Sequence, residues 1–333
     1  MGSLYLVTGA GGHLGNTVVR LLTQRGEEVR AFALPGERTD GVLPDGVEVV
    51  RGNLCDRESL RALFERAGGR RLVVIHCAGI VTIQSKFDQR VWDVNVGGTR
   101  NIVSLCEEYG AAKLVYVSSV HAISEPPDGG LIRETDRFTD VPLVGLYAQT
   151  KAAATASVLE AAKRGLDASV VHPSGIIGPY DYGHGHMTQL VLDYVQGRLT
   201  AAIRGGYDFT DVRDVAAGII ACCDKGRRGE CYILSNRYVS VNEMLDTVHE
   251  LTGTKKIAVY LPIWFVKLVA PVCETYYKLR HQTPLFTAYS IYTLGSDSNF
   301  SHEKADRELG YTTRPLRDSL SDEIGWLREQ GRL

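Results

Sequence analysis

The sequence predicts an α/β protein, a doubly wound parallel sheet followed by a smaller C-terminal lobe. Three observations carry that reading. Apolar, β-branched runs alternate with helix-period runs through the first half of the chain. The strand-like runs are hydrophobic at nearly every position, as strands covered on both faces are. The connections between them are short, which suits repeated βαβ units.

The elements follow in order. Residues 4–7 form the first strand and 14–24 the first helix, then come strands at 29–34 and 47–50 and a helix at 58–67. Residues 72–76 are a strand leading into a helical stretch at 91–109, and 114–117 is the strand after it. An alanine-rich helix opens near Tyr147 and ends near Gly165, and a sixth strand, 168–172, follows. Beyond it the order loosens into the Gly- and Tyr-rich stretch HPSGIIGPYDYGHGH. Helices are expected near 187–196, 214–223, 241–251, 262–278 and 316–329, with a strand at 231–234. The division is therefore 1–172 for a dinucleotide-binding part and 173–333 for a mainly substrate-binding lobe, some of whose elements return to the first core. No repeats or low-complexity tracts interrupt it.

Composition narrows the function classes. With 333 residues, 44% hydrophobic and 23% charged, the chain can bury a sizeable core without staples. A formal net charge of -2 with interspersed signs gives no basic field for nucleic acid or an anionic membrane, so a small molecule is the expected ligand. Seven cysteines, an odd set with no CxxC pair and mostly in apolar segments, suit free thiols in a reducing cytoplasm, with no disulfide and no zinc. No cationic leader precedes the first strand, so no signal peptide is expected. The longest apolar run, 261–273, holds Lys267 and two prolines and is too short to span a bilayer. The aromatics of 261–278 would serve for packing, as a lid over an apolar substrate, or for a peripheral membrane contact.

Gly9, Gly12 and Gly15 lie between the first strand and the first helix. Glycines there permit a tight turn, close approach of backbone to a pyrophosphate, and close packing of the helix whose N-terminus binds the anion. The second strand ends VRAFALPGER, where an NAD-selecting fold usually carries an acid for the ribose hydroxyls. That strand end is Ala33 and Leu34; Glu37 comes three residues late, and Arg38 is within reach of a 2′-phosphate. The reading tilts to NADP over NAD.

Two Tyr-x-x-x-Lys pairs occur, Tyr147 with Lys151 and Tyr109 with Lys113, so the motif alone decides nothing. Tyr147 opens a run of strong helix formers and shares a helix face with Lys151, whereas Tyr109 and Lys113 straddle Gly110. Ser119, at the end of the fifth strand, and Tyr147 both belong at the carboxyl edge of the sheet, where such folds bind ligands. Reducing a ketone needs a hydride and a proton, and a side chain must supply the proton. Tyr147 suits that work once nearby positive charge favours its phenolate, with Lys151 and an oxidised nicotinamide as sources; about three pKa units correspond to about 4 kcal/mol. His121, two residues after Ser119, points near the pocket by position. His184 and His186, with Asp181, lack a third spaced ligand, so they read as a pocket rim beside Tyr180 and not as a metal site.

The ordered stretches TGAGGHLG (8–15), GNLCD (52–56), HCAGIV (76–81), VNVGGTRNI (94–102), VYVSSV (115–120), YAQTK (147–151), HPSGIIGP (172–179) and FTDVRDVA (209–216) carry a resemblance. Along almost its whole length the chain resembles the extended short-chain dehydrogenases/reductases, the NAD-dependent epimerase/dehydratase family with its Rossmann fold. It is most similar to the 3β-hydroxysteroid dehydrogenase and dihydroflavonol reductase group, through GGYDFTDVRDVAAGI and KADRELGYTTRPLRDSL. It departs from the pattern at Asn53, where an aspartate is common, and at His172, where an arginine often stands. The resemblance implies that Lys151 holds the nicotinamide ribose, that Ser119 donates to the substrate oxygen, and that Asn95 anchors a water in a proton relay. It implies further coenzyme contacts from His13, Leu14, Asn53, Leu54, Cys77, Ala78, Gly79, His172, Pro173, Ser174 and Gly175, and a homodimer through helices flanking the sheet.

Three classes of function follow: a hydroxyl/ketone oxidoreductase on a hydrophobic cyclic substrate, a sugar-nucleotide epimerase or dehydratase, and a non-catalytic coenzyme-binding partner. The first is favoured. Asn95, Ser119, Tyr147 and Lys151 are all present, and the lobe segments nearest the pocket carry few cations for a diphosphate, with Arg204 alone in TAAIRGGYDFTDV, although Arg198, Arg213 and Arg280 could converge on one.

Overall fold

The computed structural model of the chain describes residues 2–82, 86–126, 129–139, 141–183, 185–265, 295 and 298–333. Strands β1 (Ser3–Thr8), β2 (Glu28–Ala33), β3 (Glu48–Arg51), β4 (Arg71–His76), β5 (Lys113–Val117) and β6 (Ala168–Pro173) alternate with helices α1 (His13–Gln24), α2 (Arg57–Phe64), α3 (Gln89–Trp92), α4 (Thr99–Glu108) and α5 (Leu146–Arg164). A π-helical turn, Asp93–Gly98, joins α3 to α4. After β6 come β7 (Gly175–Ile177), α6 (His186–Val195), β8 (Ala202–Ile203), β9 (Gly206–Asp211), α7 (Val212–Lys225) and β10 (Cys231–Leu234). Then follow β11 (Arg237–Ser240), α8 (Val241–Thr252), β12 (Tyr260–Leu261), α9 (Glu303–Leu309) and α10 (Leu316–Glu329).

The main sheet has seven strands in the order β10-β6-β5-β4-β1-β2-β3, and every pairing in it is parallel. It is a Rossmann fold. Alternate side chains of each strand feed two cores. On one face Tyr5, Val7, Val73, Ile75, Val115 and Val117 meet Val18, Val19 and Leu22 of α1 and Ile219 and Ile220 of α7. On the other, Leu4, Leu6, Val74, Leu114 and Tyr116 meet Ile102 and Leu105 of α4 and Ala154 and Val158 of α5. Burial on both faces explains why these strands read as unbroken apolar runs. Chain order reverses at β1, which lies between β4 and β2, so a crevice opens at the carboxyl ends of β1 and β4. Register sets Thr8 beside His76, and His76 beside Tyr116, along that edge.

The chain past β6 returns to the sheet through β10 and to its face through α7, which packs on α1. A second, three-stranded sheet, β11-β9-β7, stands over the carboxyl edge, with β9 antiparallel to β11 and parallel to β7. Strand β9 escapes the sequence reading because its center is polar: Asp208 is buried, and its Oδ1 accepts from Ser174 Oγ (2.5 Å) and the Asn236 amide (3.0 Å). Beyond residue 265, the expected helix at 262–278 lies outside the described residues; Trp264, just before, is exposed. Among the described residues no helix is long and apolar enough to cross a membrane.

Candidate active site

The glycine turn leaves no room for side chains. Gly9 has φ +67°, and a Cβ there would lie 2.7 Å from the Ala78 backbone; a Cβ on Gly15 would run into the Gly9 carbonyl. Gly12 caps the N-terminus of α1 without a side-chain bond, so the first amides of the helix stay directed at the turn. His13 Nε2 donates to the Pro179 carbonyl (2.9 Å), and burial lowers its pKa, so its neutral ring ties the turn to the second lobe. Leu14, Cys77, Ala78 and Gly79 border the same crevice, and a Cβ on Gly79 would stand 3.2 Å from Asn95 Oδ1 and 3.5 Å from Lys151 Nζ. A bare backbone cradle at a helix N-terminus fits the pyrophosphate of a dinucleotide.

The loop after β2 sets the surroundings of Glu37 and Arg38. Leu34, Pro35, Gly36 and Glu37 form a turn closed by the Glu37 amide on the Leu34 carbonyl (3.1 Å), with Gly36 at φ +80°. Proline followed by a left-handed glycine is the type II signature. The turn folds Glu37 back, so its carboxylate accepts from the Leu34 amide (2.8 Å) and lies where a Cβ on Gly11 would be. Arg38, expected toward a 2′-phosphate, instead donates through Nε to the Asp40 carbonyl in its own loop (3.2 Å). Counting along the strand missed Glu37; the Pro-Gly pair was the signal that could have found it. Asn53 Oδ1 accepts from the Cys55 amide (2.9 Å), and Leu54 is buried against Gly98, so their side chains serve the loop and the core.

At the other end of the crevice, α5 and the end of β5 bring together Ser119, Tyr147 and Lys151. Ser119 Oγ accepts from the His121 amide (3.3 Å), and its hydroxyl favors the Tyr147 phenolate. The neighboring Ser118 is tied to Thr155 Oγ1 at 2.7 Å and buried. Lys151 Nζ donates to the Val117 carbonyl (2.7 Å) and stands 5.0 Å from the center of the Tyr116 ring. Burial holds Lys151 down at about 8 and pushes Tyr147 up to about 12, outweighing the opposing influence of Ser119. Asn95 Oδ1 accepts from the Ile80 amide (2.7 Å), and Nδ2 donates to the Ile80 carbonyl (3.0 Å) and to Thr150 Oγ1 (3.0 Å). The other Tyr-x-x-x-Lys pair is structural: Lys113 Nζ is buried on Asp167, Ser169 and the Gly226 carbonyl.

An aromatic cluster begins beside Tyr147. His121 lies edge-on to Tyr147 at 6.1 Å and stacks on Tyr207 at 5.5 Å, with its Nε2 3.1 Å from the Tyr207 hydroxyl. Phe209 and Phe300 pack on Tyr207 at 6.0 and 6.1 Å. Sequence reading passed over Tyr207, whose place on β9 was hidden. His172 Nδ1 donates to the Ser119 carbonyl (2.9 Å) while its ring stacks on Phe138 at 5.4 Å, so it backs the serine. Pro173, Ser174 and Gly175 continue from it beneath β9; Ser174 is taken up by Asp208, and a Cβ on Gly175 would strike the Phe209 ring. Tyr180, expected at the substrate, lies between Arg20 (4.9 Å) and Trp326 (6.2 Å) instead. Its backbone is left-handed, with φ +75°. His186 is exposed at the start of α6, and His184 lies outside the described residues. Among the described residues no three His, Cys, Asp or Glu side chains group for a metal.

The sequence profile of the NAD dependent epimerase/dehydratase family matches residues 5–235. The chain belongs to this family. It is an extended short-chain dehydrogenase/reductase, and an enzyme of the NAD-dependent oxidoreductase/epimerase kind. Sterol demethylase protein B of Methylococcus capsulatus is 35% identical over 334 residues, covering 98% of each chain. A putative dihydroflavonol 4-reductase of Synechocystis is 29% identical, covering 99% of this chain and 96% of its own. The crystal structure of gox2253 superposes with a TM-score of 0.84 at 30% identity, over 100% of this chain and 99% of that one.

Proposed function

We propose that this enzyme interconverts a hydroxyl and a ketone on a hydrophobic cyclic substrate, of hydroxysteroid or dihydroflavonol type, with NAD as coenzyme. One observation carries the substrate class: His121 lies edge-on to Tyr147 and heads an aromatic cluster with Tyr207, Phe209 and Phe300, while several cations of the second lobe are paired with carboxylates. Arg198 pairs with Asp193, Arg213 with Asp211 and Asp322, and Arg237 with Glu243. Arg204 is exposed, and Arg280 lies outside the described residues. A nucleotide sugar would bring a diphosphate to an aromatic cluster, at a desolvation cost that a fused-ring substrate does not meet. Burying about 200 Å² of apolar ring contributes roughly 5 kcal/mol before ordering costs. The names of the sterol and dihydroflavonol relatives point the same way.

The bound dinucleotide supplies and accepts the hydride. The chain supplies the rest. Tyr147, held protonated at neutral pH by burial, gives its proton to the carbonyl oxygen, and Ser119 donates to the same oxygen as charge develops there. Lys151, with a pKa of about 8, keeps its charge at pH 7 and is placed to hold the ribose and to favor the phenolate left behind. Glu37, beside Gly11, is placed for the adenosine ribose hydroxyls, which favors NAD over NADP. The test is turnover of hydroxysteroids and dihydroflavonols beside UDP- and GDP-sugars, followed at the reduced-nicotinamide band and by product analysis. We expect ring-ketone turnover that Tyr147→Phe lowers by about 10² or more, since general acid catalysis is worth roughly 10² to 10⁴. Epimerization of a nucleotide sugar with no ring substrate consumed would overturn the reading.

A further inference from the structure

A buried line of hydrogen bonds runs from the coenzyme turn to the helix of Tyr147. The Ala78 amide donates to Thr8 Oγ1 (3.3 Å), and Thr8 Oγ1 lies 2.6 Å from His76 Nδ1. His76 Nε2 lies 3.0 Å from Thr99 Oγ1, which donates to the Asn95 carbonyl (2.6 Å). From the same residue, Asn95 Nδ2 donates to Thr150 Oγ1 (3.0 Å), and Thr150 Oγ1 donates to the Tyr147 carbonyl (2.8 Å). Thr8, His76, Asn95, Thr99 and Thr150 are all buried.

The proton positions along this line follow by elimination. A carbonyl cannot donate, so the single hydroxyl proton of Thr99 belongs to the Asn95 carbonyl. Thr99 can then meet His76 only as an acceptor, so Nε2 carries hydrogen. Nδ1 is left as the acceptor and takes the Thr8 proton, while Thr8 accepts from Ala78. Every donor thus points from the coenzyme turn toward Tyr147, an arrangement in which the bonds polarize one another. The opposite tautomer would set two lone pairs face to face at Thr99 and leave the Thr8 proton without its acceptor. Around the ring stand Tyr116, at 5.5 Å, and the Lys151 charge, which with burial opposes a second proton.

We infer that His76 is a positioning residue for the reaction: as the neutral Nε2–H tautomer it joins the Thr8 end of the coenzyme turn, through Thr99, to the π-turn of Asn95 and the helical turn of Tyr147. The inference rests on reading Tyr147 as the proton donor. It assigns work to the π-turn, whose Asn95 carbonyl takes a threonine hydroxyl while its side chain reaches α5.

Two measurements test it on the full-length protein. The first uses ¹⁵N-histidine NMR, which reads the tautomer without any assay; His76 is expected as Nε2–H, unchanged between pH 5 and 9. An Nδ1–H ring, or one that titrates in that range, overturns the inference. The second compares Thr99→Val, which keeps shape and deletes the hydroxyl, with Thr99→Ser, which restores it. With NAD and a 3-hydroxysteroid, Thr99→Val is expected to lower kcat about tenfold, with KM and the Kd of NAD within about twofold, and Thr99→Ser to recover most of it. Unchanged kcat, or a loss confined to NAD affinity, overturns the link to Tyr147. Should Thr99→Val not fold, His76→Gln, which keeps a donor toward Thr99, takes its place in the same comparison. If Tyr147→Phe itself stays active, the proton-donor reading fails while the NMR result still decides the tautomer.

Discussion

Glu37 shows how far a residue's role can lie from its place in the chain. Three residues separate it from the end of β2, yet the Pro35-Gly36 turn returns its carboxylate to the Leu34 amide and to Gly11. Glu37→Ala is expected to weaken NAD binding roughly tenfold and to narrow the gap to NADP, as loss of a charged hydrogen bond would. Arg38→Ala, whose guanidinium faces Asp40, should change either affinity by less than about twofold; fluorescence titration with both coenzymes measures this. A large, selective loss of NADP affinity in Arg38→Ala would restore the opposite assignment. Tyr147 and Lys151 are legible in sequence because i and i+4 share a helix face whatever the fold around them. Tyr207 is not, since its meeting with His121 depends on a strand from another sheet.

Among the elements, the periodic run at 316–329 predicts the last helix, and α10 spans Leu316–Glu329. Its pattern gives no hint that the polar Glu323 faces inward. Glu323 is fully buried, Oε2 accepts from the Gly178 amide (3.3 Å), and Oε1 has no partner among the described residues. Burial, reinforced by Asp181 and Asp211, pushes its pKa up from 4.5 to about 8. The folded state therefore holds a proton that the unfolded chain releases above pH 4.5, so this group's contribution is greatest below pH 4.5 and declines as pH rises to about 8. Glu323→Gln removes that decline. Its Tm relative to the parent should rise between pH 5 and pH 8.5, by about 3 °C for each kcal/mol. A Tm difference that stays flat with pH would show that Glu323 titrates normally. The short strands β7, β9 and β11 escape sequence reading for a related reason: three to six residues with Gly, Asp or Arg in them carry too little period to be seen.

For the molecule as a whole, His76, His121 and His172, like His13, are sealed in neutral form. Burial lowers His76 to about 3 and His121 and His172 to about 4, against 6.5 in an open chain. Each is unprotonated in the fold and protonated in the unfolded chain below pH 6.5, so their contribution is complete above pH 6.5 and is lost as pH falls toward 4. Urea unfolding at pH 7, 5.5 and 4.5 should show stability dropping through this window, with these histidines taking up protons on unfolding near pH 5. A flat profile down to pH 4.5 would mean that the rings are already charged in the fold. The doubly wound class and the placing of the site at the sheet's carboxyl edge are legible in sequence, because buried parallel strands write themselves as continuous apolar runs. Which strand closes the sheet is not, since pairing partners far apart in sequence leave no local mark. That strand is β10, paired to β6 only after the chain has passed through β7, β8, β9 and α7. During synthesis, then, β6 emerges from the ribosome with one edge bare, and its partner is translated about 60 residues later. At roughly 5–20 residues per second that interval lasts about 3–12 s. Throughout it an apolar strand edge is open to pairing with other nascent chains, which makes the pace of translation between β6 and β10 a determinant of how much enzyme reaches the folded state.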